Sequence, residues 1–251
     1  MIAGYLVKQR IEIWLKKKVK KDSILWKVLR TCRRIIKFFY NIIDKDIPAM
    51  KRGMIIAVAR RATGIPLPGT RSGLPLLLNH LNLAGKGAEI GVWAGEFSEE
   101  IIKKSNFSIL FSVDPWKRYD EKDYEDQDNI SQELFEQIYN QAVERLKKFG
   151  QRSKIIRDTS RNACSLFADG TLDFIFIDAN HSYGACKDDL EIWWPKLRKK
   201  GVFAGHDYLN GALSTGVYGV KRAVNEFVAK HRQRLYVTCE KDYPAWYLIK
   251  R

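Results

Sequence analysis

The sequence predicts an α/β fold built on a doubly wound, mostly parallel sheet, with an antiparallel C-terminal hairpin and a basic helical N-terminal extension. From residue 74 onward, short apolar runs alternate with stretches of helical periodicity, which is typical of a parallel sheet covered by helices. Two of these runs, residues 174–177 and 201–204, end in polar side chains that can do chemistry. Ligands of open parallel sheets bind beyond the carboxyl ends of the strands, so we expect the site there.

The apolar periodicity predicts each element of the main body in turn. The predicted strands cover residues 87–92, 109–113, 154–156, 174–177, 202–204, 235–239 and 245–249. The predicted helices cover residues 74–83, 96–104, 131–149, 162–167, 184–197 and 217–230. Ser131 is expected to cap its helix. The last two strands are separated by a short turn, so they are expected to pair as a hairpin at the sheet edge.

Positive charge is concentrated in the N-terminal quarter of the chain. The formal net charge is +15, and residues 1–61 contain 17 Lys or Arg against 4 Asp or Glu. The remaining residues contain 27 and 25, so the main body is nearly neutral. This distribution argues against a nucleic-acid groove running across the body, and no nucleic acid is expected as a partner.

We expect residues 1–62 to form a basic amphipathic helical extension and linker, and residues 63–251 to form the main domain. After Ser23, apolar residues approximate a helical stripe, and basic residues fill the other positions. Such a helix within residues 1–45 can lie on an anionic membrane surface. The same stripe can equally pack on the main domain or on a second subunit of a homo-oligomer, and the sequence leaves these alternatives open.

The cysteines and apolar segments predict the compartment. The four cysteines are scattered without a CxxC pair, so neither a zinc site nor a disulfide framework is expected. No apolar run reaches the roughly 18 residues that span a bilayer, and the N-terminus lacks a secretory signal. We therefore expect a cytoplasmic protein, with the extension allowing peripheral contact at the inner membrane surface.

The first strand of the body runs into a glycine-containing turn. Gly91 and Gly95 are four residues apart, which is not the GxGxxG spacing that brings a pyrophosphate to a helix N-terminus. The looser turn suits a cofactor without phosphates, and S-adenosylmethionine is such a cofactor. The alternative is a plain strand–turn–helix corner whose glycines only permit tight packing.

The next two strands also end in carboxylates. Asp114 is placed to accept hydrogen bonds from ribose hydroxyls, and Trp116 could stack on adenine or simply pack in the core. Asp158 could accept from the adenine amino group, with Thr159 and Ser160 at the ring edge, or it could cap the following helix. Carboxylates at successive strand ends indicate a nucleoside-binding edge.

These segments together resemble the class I S-adenosylmethionine-dependent methyltransferases, most closely a branch that includes macrocin-type sugar O-methyltransferases. The segments that carry the resemblance are AEIGVWAGEFS (88–98), SVDPW (112–116), IIRDTS (155–160), DFIFIDANHSY (173–183) and GVFAGHDY (201–208). The resemblance covers roughly the last three quarters of the chain. It implies a Rossmann-like methyltransferase fold, S-adenosylmethionine as cofactor, and O-methylation of a hydroxyl on a sugar, glycan or other small-molecule acceptor.

The resemblance also implies roles for individual residues. The positions that shape the pocket for the methionine portion are Glu89, Gly91, Gly95 and Ser98. Asp114 would hold the ribose, and residues 158–160 would face adenine.

Several sugar O-methyltransferases of this branch bind magnesium through acidic residues at positions matching Asp178, His206 and Asp207. Because His206 stands where some relatives have an acid, the ion is left open between Mg²⁺, which prefers oxygen, and Mn²⁺, which also accepts imidazole.

The catalytic candidates follow the fourth and fifth predicted strands. Methyl transfer to a hydroxyl needs a base or a metal ion that lowers the pKa of the acceptor. We expect Asp178, His181 and Asp207 to supply this chemistry, with Asp178 as base or ligand. Alternatively, Asp178 caps a helix, His181 bonds a loop carbonyl and His206 packs in the sheet. Two rival functions also stay open: a non-catalytic methyltransferase-like binding subunit, and a nicotinamide-dependent oxidoreductase.

Overall fold

The computed structural model describes residues 49–120 and 128–251. The predicted helices of residues 1–45 lie outside this part of the chain, as do residues 121–127 of the acid-rich segment 119–130. In the described residues, helices cover both faces of a seven-stranded sheet, and a separate two-stranded hairpin lies beside it.

The helices and strands are numbered in chain order. The helices are α1 (Ala49–Thr63), α2 (Leu74–His80), α3 (Glu96–Lys104), α4 (Gln132–Leu146), α5 (Ser160–Cys164), α6 (Tyr183–Trp193) and α7 (Val220–Lys230). The strands are β1 (Lys86–Ile90), β2 (Ile109–Val113), β3 (Ser153–Ile156), β4 (Leu172–Ile177), β5 (Leu197–Gly205), β6 (Gly211–Leu213), β7 (Gly216–Tyr218), β8 (Tyr236–Val237) and β9 (Trp246–Ile249). Ser131 caps α4 as expected, since its hydroxyl accepts a hydrogen bond from the backbone N–H of Leu134.

The strand order in the sheet is β3-β2-β1-β4-β5-β9-β8. The first five strands of this order are mutually parallel, whereas β9 pairs antiparallel with β5, and β8 pairs antiparallel with β9. The predicted doubly wound, mostly parallel sheet with an antiparallel C-terminal edge is therefore confirmed. All five parallel strands direct their carboxyl ends to one edge of the sheet, where the predicted site residues follow them.

Two apolar cores lie on opposite faces of the sheet because side chains alternate along each strand. In β4, Phe174 and Phe176 belong to the core that also contains side chains of α2 and α3. Ile175 and Ile177 belong to the core formed with α6 and α7. β4 is buried along its whole length, which explains why it reads as a continuous apolar run rather than as an alternation.

Two of the predicted helix boundaries differ from the structure because the residues at those ends belong to strands or lie beside them. The helix predicted to reach residue 197 ends at Trp193, because Leu197 opens β5 and pairs with Leu172. The helix predicted from residue 217 begins at Val220, because β7 pairs with β6. This short hairpin was not predicted; its glycines at 211 and 216 were the available signal.

Helix α1 joins the main body through its contacts with the C-terminal edge. Ile56 is 7% exposed and belongs to the same core as α2 and α3. Arg52 Nη2 donates to the carbonyl oxygen of Glu240 at 3.3 Å. Within the described residues, no helix combines the length and apolar character that crossing a bilayer requires.

We expect Gly205→Ala to destabilise the fold by about 1–3 kcal/mol through overpacking. Gly205 ends β5 so tightly that an added Cβ would lie 2.5 Å from the carbonyl oxygen of Ile177 and 2.6 Å from the Trp246 ring. Urea unfolding monitored by circular dichroism measures the change. The matched control is Gly184→Ala in α6, where a Cβ would meet no atom within 4 Å. The control should unfold at the same urea concentration as the wild type or at a higher one. Equal unfolding midpoints for the two variants would contradict the packing argument.

Candidate active site

A cavity of about 850 Å³ opens at the carboxyl ends of the parallel strands. Its volume lies within the roughly 300–1,000 Å³ typical of small-molecule sites. Nine residues predicted from the sequence line it: Glu89, Gly91, Asp114, Thr159, Ser160, Asp178, His181, His206 and Asp207. The sheet topology therefore brings together residues that are up to 118 positions apart in the chain.

The turn after β1 lies directly against the end of β4. Gly91 has a φ of +85°, and a Cβ built on it would lie 1.9 Å from the carbonyl oxygen of Asp178. Only glycine fits this conformation and this contact. Gly95, also predicted as a site residue, does not line the cavity; it precedes α3 and packs on Leu146 of α4.

The Asp114 carboxylate fixes the turn after β1 from the neighbouring strand. Its Oδ2 accepts hydrogen bonds from the backbone N–H groups of Val92 and Trp93 at 2.8 and 3.1 Å. Its Oδ1 accepts from the N–H of Trp116 at 2.8 Å. Burial raises the pKa of Asp114, although these hydrogen bonds oppose the shift. The carboxylate therefore holds the cavity wall in place, and Asp114 itself also lines the cavity.

Glu89 is a buried acid at the end of β1, with 2% of its surface exposed. Burial raises its pKa to about 8, and the hydrogen bond from the Ser98 hydroxyl opposes that shift. The Ser98 and Ser112 hydroxyl oxygens lie 2.7 Å apart. Ser98 is fully buried, so it supports Glu89 from behind rather than lining the cavity.

Trp116 and Asp158 also lie behind the cavity wall. The Trp116 side chain is fully buried, its Nε1 donates to the carbonyl oxygen of Trp93 at 2.9 Å, and its ring packs edge-on against Tyr139. The indole therefore has no face free for a ligand, and the half-exposed Trp93 lines the cavity instead. Asp158 Oδ1 accepts from the N–H of Thr159 and from Asn162, which organises the turn into α5.

Ser160 connects the end of β3 to helix α6. Its hydroxyl donates to Oδ1 of Asp189, and it accepts a hydrogen bond from Trp193 Nε1 at 2.8 Å. Asp189 of α6 is buried and lines the cavity, although it was not predicted as a site residue. Burial raises its pKa to about 6. Its position four residues before the core residue Trp193, on the same helix face, was the signal for burial.

A cluster of two carboxylates and two imidazoles lies at the ends of β4 and β5. The Asp207 carboxylate lies between the two histidines, with Oδ2 2.9 Å from His181 Nε2 and Oδ1 3.0 Å from His206 Nδ1. Asp178 Oδ1 lies 3.8 Å from each of the same two nitrogens. We refer to these four residues as the Asp–His cluster.

Two members of the Asp–His cluster, Asp207 and His206, have shifted pKa values. Burial alone would raise the pKa of Asp207, but hydrogen bonds to His181 and His206 and their charges lower it well below its usual range. Burial would lower the pKa of His206, but the hydrogen bond to Asp207 and the charges of Asp178 and Asp207 raise it. Asp207 is therefore a stable anion that favours protonated imidazole beside it.

Part of the Asp–His cluster also fits a divalent cation. One ligand atom from each of Asp178, His181 and Asp207 lies within 4.8 Å of the others. Two carboxylates and one imidazole form a donor set that suits manganese or a similar ion better than magnesium. The sequence placed His206 in this set, whereas the compact group contains His181.

Arg71, Tyr218 and Tyr243 are among the cavity residues that were not predicted from the sequence. Arg71, just before α2, has its Nη1 3.4 Å from Asp178 Oδ2 and its guanidinium over the ring of Phe97. Tyr218 of β7 stacks on His181 with ring centroids 5.0 Å apart, and Tyr243 lies beside Tyr218. These residues come from a turn, a hairpin and a C-terminal loop, where no periodic pattern marks a functional position.

We expect Asp207→Asn to lower the pKa of His206, because the substitution removes the anion while burial continues to penalise the imidazolium. Nuclear magnetic resonance titration of the histidine ring carbons measures this shift. The matched control is Asp169→Asn, since Asp169 is exposed and pairs with Lys196 outside the cavity. The assignment of Asp207 as the stabilising anion fails if His206 titrates alike in the variant and the wild type.

Comparison with known proteins adds a family match to this geometry. Residues 88–208 match the model of a family described as "Methyltransferase domain". A curated protein of Sinorhizobium fredii, described as uncharacterised protein y4gI, is 31% identical over 72 residues. That alignment covers 29% of this chain and 8% of the relative, so the chain spans only a small part of the relative's length.

Solved structures share the fold at low sequence identity. An O-methyltransferase from Bacillus cereus, solved in complex with SAH, gives a TM-score of 0.51 at 16% identity, covering 86% of this chain and 97% of that chain. The N-methyltransferase NodS from Bradyrhizobium japonicum gives 0.50 at 13% identity, covering 72% and 94%. These likenesses establish a shared fold, and each of the two solved chains is matched over nearly its whole length.

Proposed function

Because this chain carries a class I S-adenosylmethionine-dependent methyltransferase domain, we propose that it transfers a methyl group to a hydroxyl oxygen of a sugar or glycan. The observation that carries the proposal is the Asp–His cluster, which lines the same cavity as Asp114 and the turn after β1. In this proposal, one cavity combines a wall for the nucleoside with groups beyond β4 and β5 that can accept a proton from an acceptor.

The donor is S-adenosylmethionine in this proposal. Asp114 offers carboxylate oxygens to the ribose hydroxyls at the end of β2, as acids at that position do in dinucleotide folds. Ser160 and Asp189 offer polar atoms beyond β3 for the adenine edge. The Bacillus cereus protein of the same fold was solved with SAH, the demethylated form of this donor, which supports the proposal.

The reaction is an in-line displacement at the methyl carbon. The acceptor oxygen forms a bond to the methyl carbon while the carbon–sulfur bond breaks, and the bonding electrons stay on sulfur. The acceptor loses its hydroxyl proton to the protein, so the products are a methyl ether, S-adenosylhomocysteine and one proton. Alignment of oxygen, carbon and sulfur is the main task that the cavity performs.

Within the Asp–His cluster, Asp178 accepts the proton in this proposal. Asp178 is the more exposed of the two carboxylates and lines the cavity. Asp207 holds His181 and His206 in position through both of its oxygens. A divalent cation held by Asp178, His181 and Asp207 would supply further acidity to the acceptor hydroxyl when it is bound.

A sugar as acceptor is supported by the aromatic side chains at the cavity. Trp93, Tyr218 and Tyr243 line it, and Trp93 and Tyr243 are partly open to solvent. Aromatic rings of this kind combine an apolar face with a polar edge, which matches the alternation of C–H and O–H groups on a pyranose. The O-methyltransferase among the structural neighbours adds support for oxygen as the acceptor atom, whereas NodS is named an N-methyltransferase.

We expect the full-length protein to bind S-adenosylhomocysteine in the micromolar range by isothermal titration calorimetry, and not to bind NADH. Gly91→Ala should abolish the binding, because the new Cβ would collide with the carbonyl oxygen of Asp178. Gly184→Ala, whose Cβ meets open space, is the control and should bind as the wild type does. Binding of NADH without binding of S-adenosylhomocysteine would instead favour an oxidoreductase.

We expect Asp178→Asn to lower the rate of methyl transfer about 10²–10⁴-fold, the usual contribution of a general base. Transfer of an isotopically labelled methyl group to a panel of nucleotide sugars and alkyl glycosides measures the rate, with and without added manganese. Asp169→Asn is the control, and calorimetry verifies that the Asp178 variant still binds S-adenosylhomocysteine. Cofactor binding without transfer to any acceptor in the wild type would favour a non-catalytic binding subunit.

A further inference from the structure

Arg71 is a cation that the matched segment 88–208 does not include. It lies in the turn before α2, and its backbone N–H donates to Glu240 Oε1 at 3.0 Å. Its guanidinium lies over the Phe97 ring, 5.1 Å from the centroid, and Nη1 lies 3.4 Å from Asp178 Oδ2. The backbone anchor and the aromatic platform aim this side chain into the cavity.

The pairing of Arg71 with Asp178 leaves donor capacity unused. A guanidinium carries five N–H donors in a planar fork and can hold a carboxylate through two parallel bonds. The contact with Asp178 is a single long one, and 36% of the Arg71 side chain is exposed. A second carboxylate can therefore bind to the same fork without displacing the first.

Permanent positive charge is sparse in the cavity wall. Among the lining residues that the structure describes, it is carried by Arg71, Lys117 and Arg161. Arg161 pairs with Asp188, and Lys117 follows β2 on the nucleoside side. Arg71 alone of the three contacts the Asp–His cluster, so it is the cation available to an anion at the ends of β1 and β4.

The proposed donor would bring an anion to this place. Its ribose at Asp114 puts the nucleoside at the ends of β2 and β3, and its sulfonium must reach the Asp–His cluster beyond β4 and β5. The amino-acid end of the donor then extends along the end of β1, where buried Glu89 faces its ammonium group. The carboxylate of that amino acid needs a cation of its own, since burying it unpaired would be costly.

We propose that Arg71 binds the amino-acid carboxylate of the donor while keeping its contact with Asp178, so that donor binding also holds the proposed proton acceptor in place. This inference rests on the proposed function, because it names the partner of one donor group at the same site. It assigns a binding role to a residue that lies upstream of the matched domain.

The test compares two ligands that differ only in the carboxylate. Calorimetry measures binding of S-adenosylhomocysteine and of its decarboxylated amine analogue to the full-length wild type and to Arg71→Met. We expect Arg71→Met to weaken the binding of S-adenosylhomocysteine about 10- to 100-fold, which is the typical contribution of a charge-assisted hydrogen-bonded pair. Binding of the analogue should change less than about threefold. The affinity of Arg71→Lys for S-adenosylhomocysteine should lie between those of the wild type and Arg71→Met, since lysine keeps the charge but loses the planar fork of donors.

Arg161→Met is the matched control, because Arg161 is the other arginine in the cavity wall and should not discriminate between the two ligands. Equal losses for both ligands in Arg71→Met would overturn the inference and assign Arg71 a purely structural role. Unchanged affinity for both ligands would also overturn it. Failure of the proposed function is distinguishable, because the wild type itself would then bind neither ligand.

Discussion

The site depends on one close contact between the turn after β1 and the backbone at the end of β4. Gly91 packs so near to Asp178 that a side chain would lie 1.9 Å from its carbonyl oxygen, and the Asp178 N–H donates to the carbonyl oxygen of Ile90 at 2.7 Å. The turn after β1, which is the proposed nucleoside wall, and Asp178, the proposed proton acceptor, are therefore held at a fixed separation. Alignment of donor and acceptor within about an ångström needs such a rigid connection.

The charge balance of the cavity favours a cationic ligand. Eight carboxyl groups line it in the described part of the chain, against three permanently charged cations. Several of these acids are desolvated, and burial raises the pKa values of Glu89, Asp114 and Asp189. A bound cation relieves this cost. A sulfonium donor carries that charge and its thioether product does not, so in the proposed reaction transfer of the methyl group would weaken the attraction of the cavity for the product.

Local sequence was sufficient to predict most of the body but not the whole site. Strand β2 and helix α3 have the predicted bounds, since an apolar run and an amphipathic period decide them locally. The predicted wall residue Trp116 lies behind the cavity, and Asp189 lies in it, because tertiary packing decided both positions. Arg71 reaches the site from a turn more than 100 residues upstream of its partner Asp178, which no local pattern could indicate.

The Asp–His cluster suits a reaction in which charge is first created and then cancelled. In the proposed O-methylation, removal of the acceptor proton creates an alkoxide, and the methyl transfer that follows cancels its charge against that of the sulfonium. The pKa of His206 is raised by its hydrogen bond to Asp207 and by the charges of Asp178 and Asp207, which favours the protonated imidazole. In the proposed reaction, that imidazole would act as a preorganised donor to the developing alkoxide. Asp207 sustains that charge by remaining ionised between the two rings. Both oxygens of Asp207 already contact the histidines, so in the proposed reaction Asp178 is the carboxylate that would take the proton.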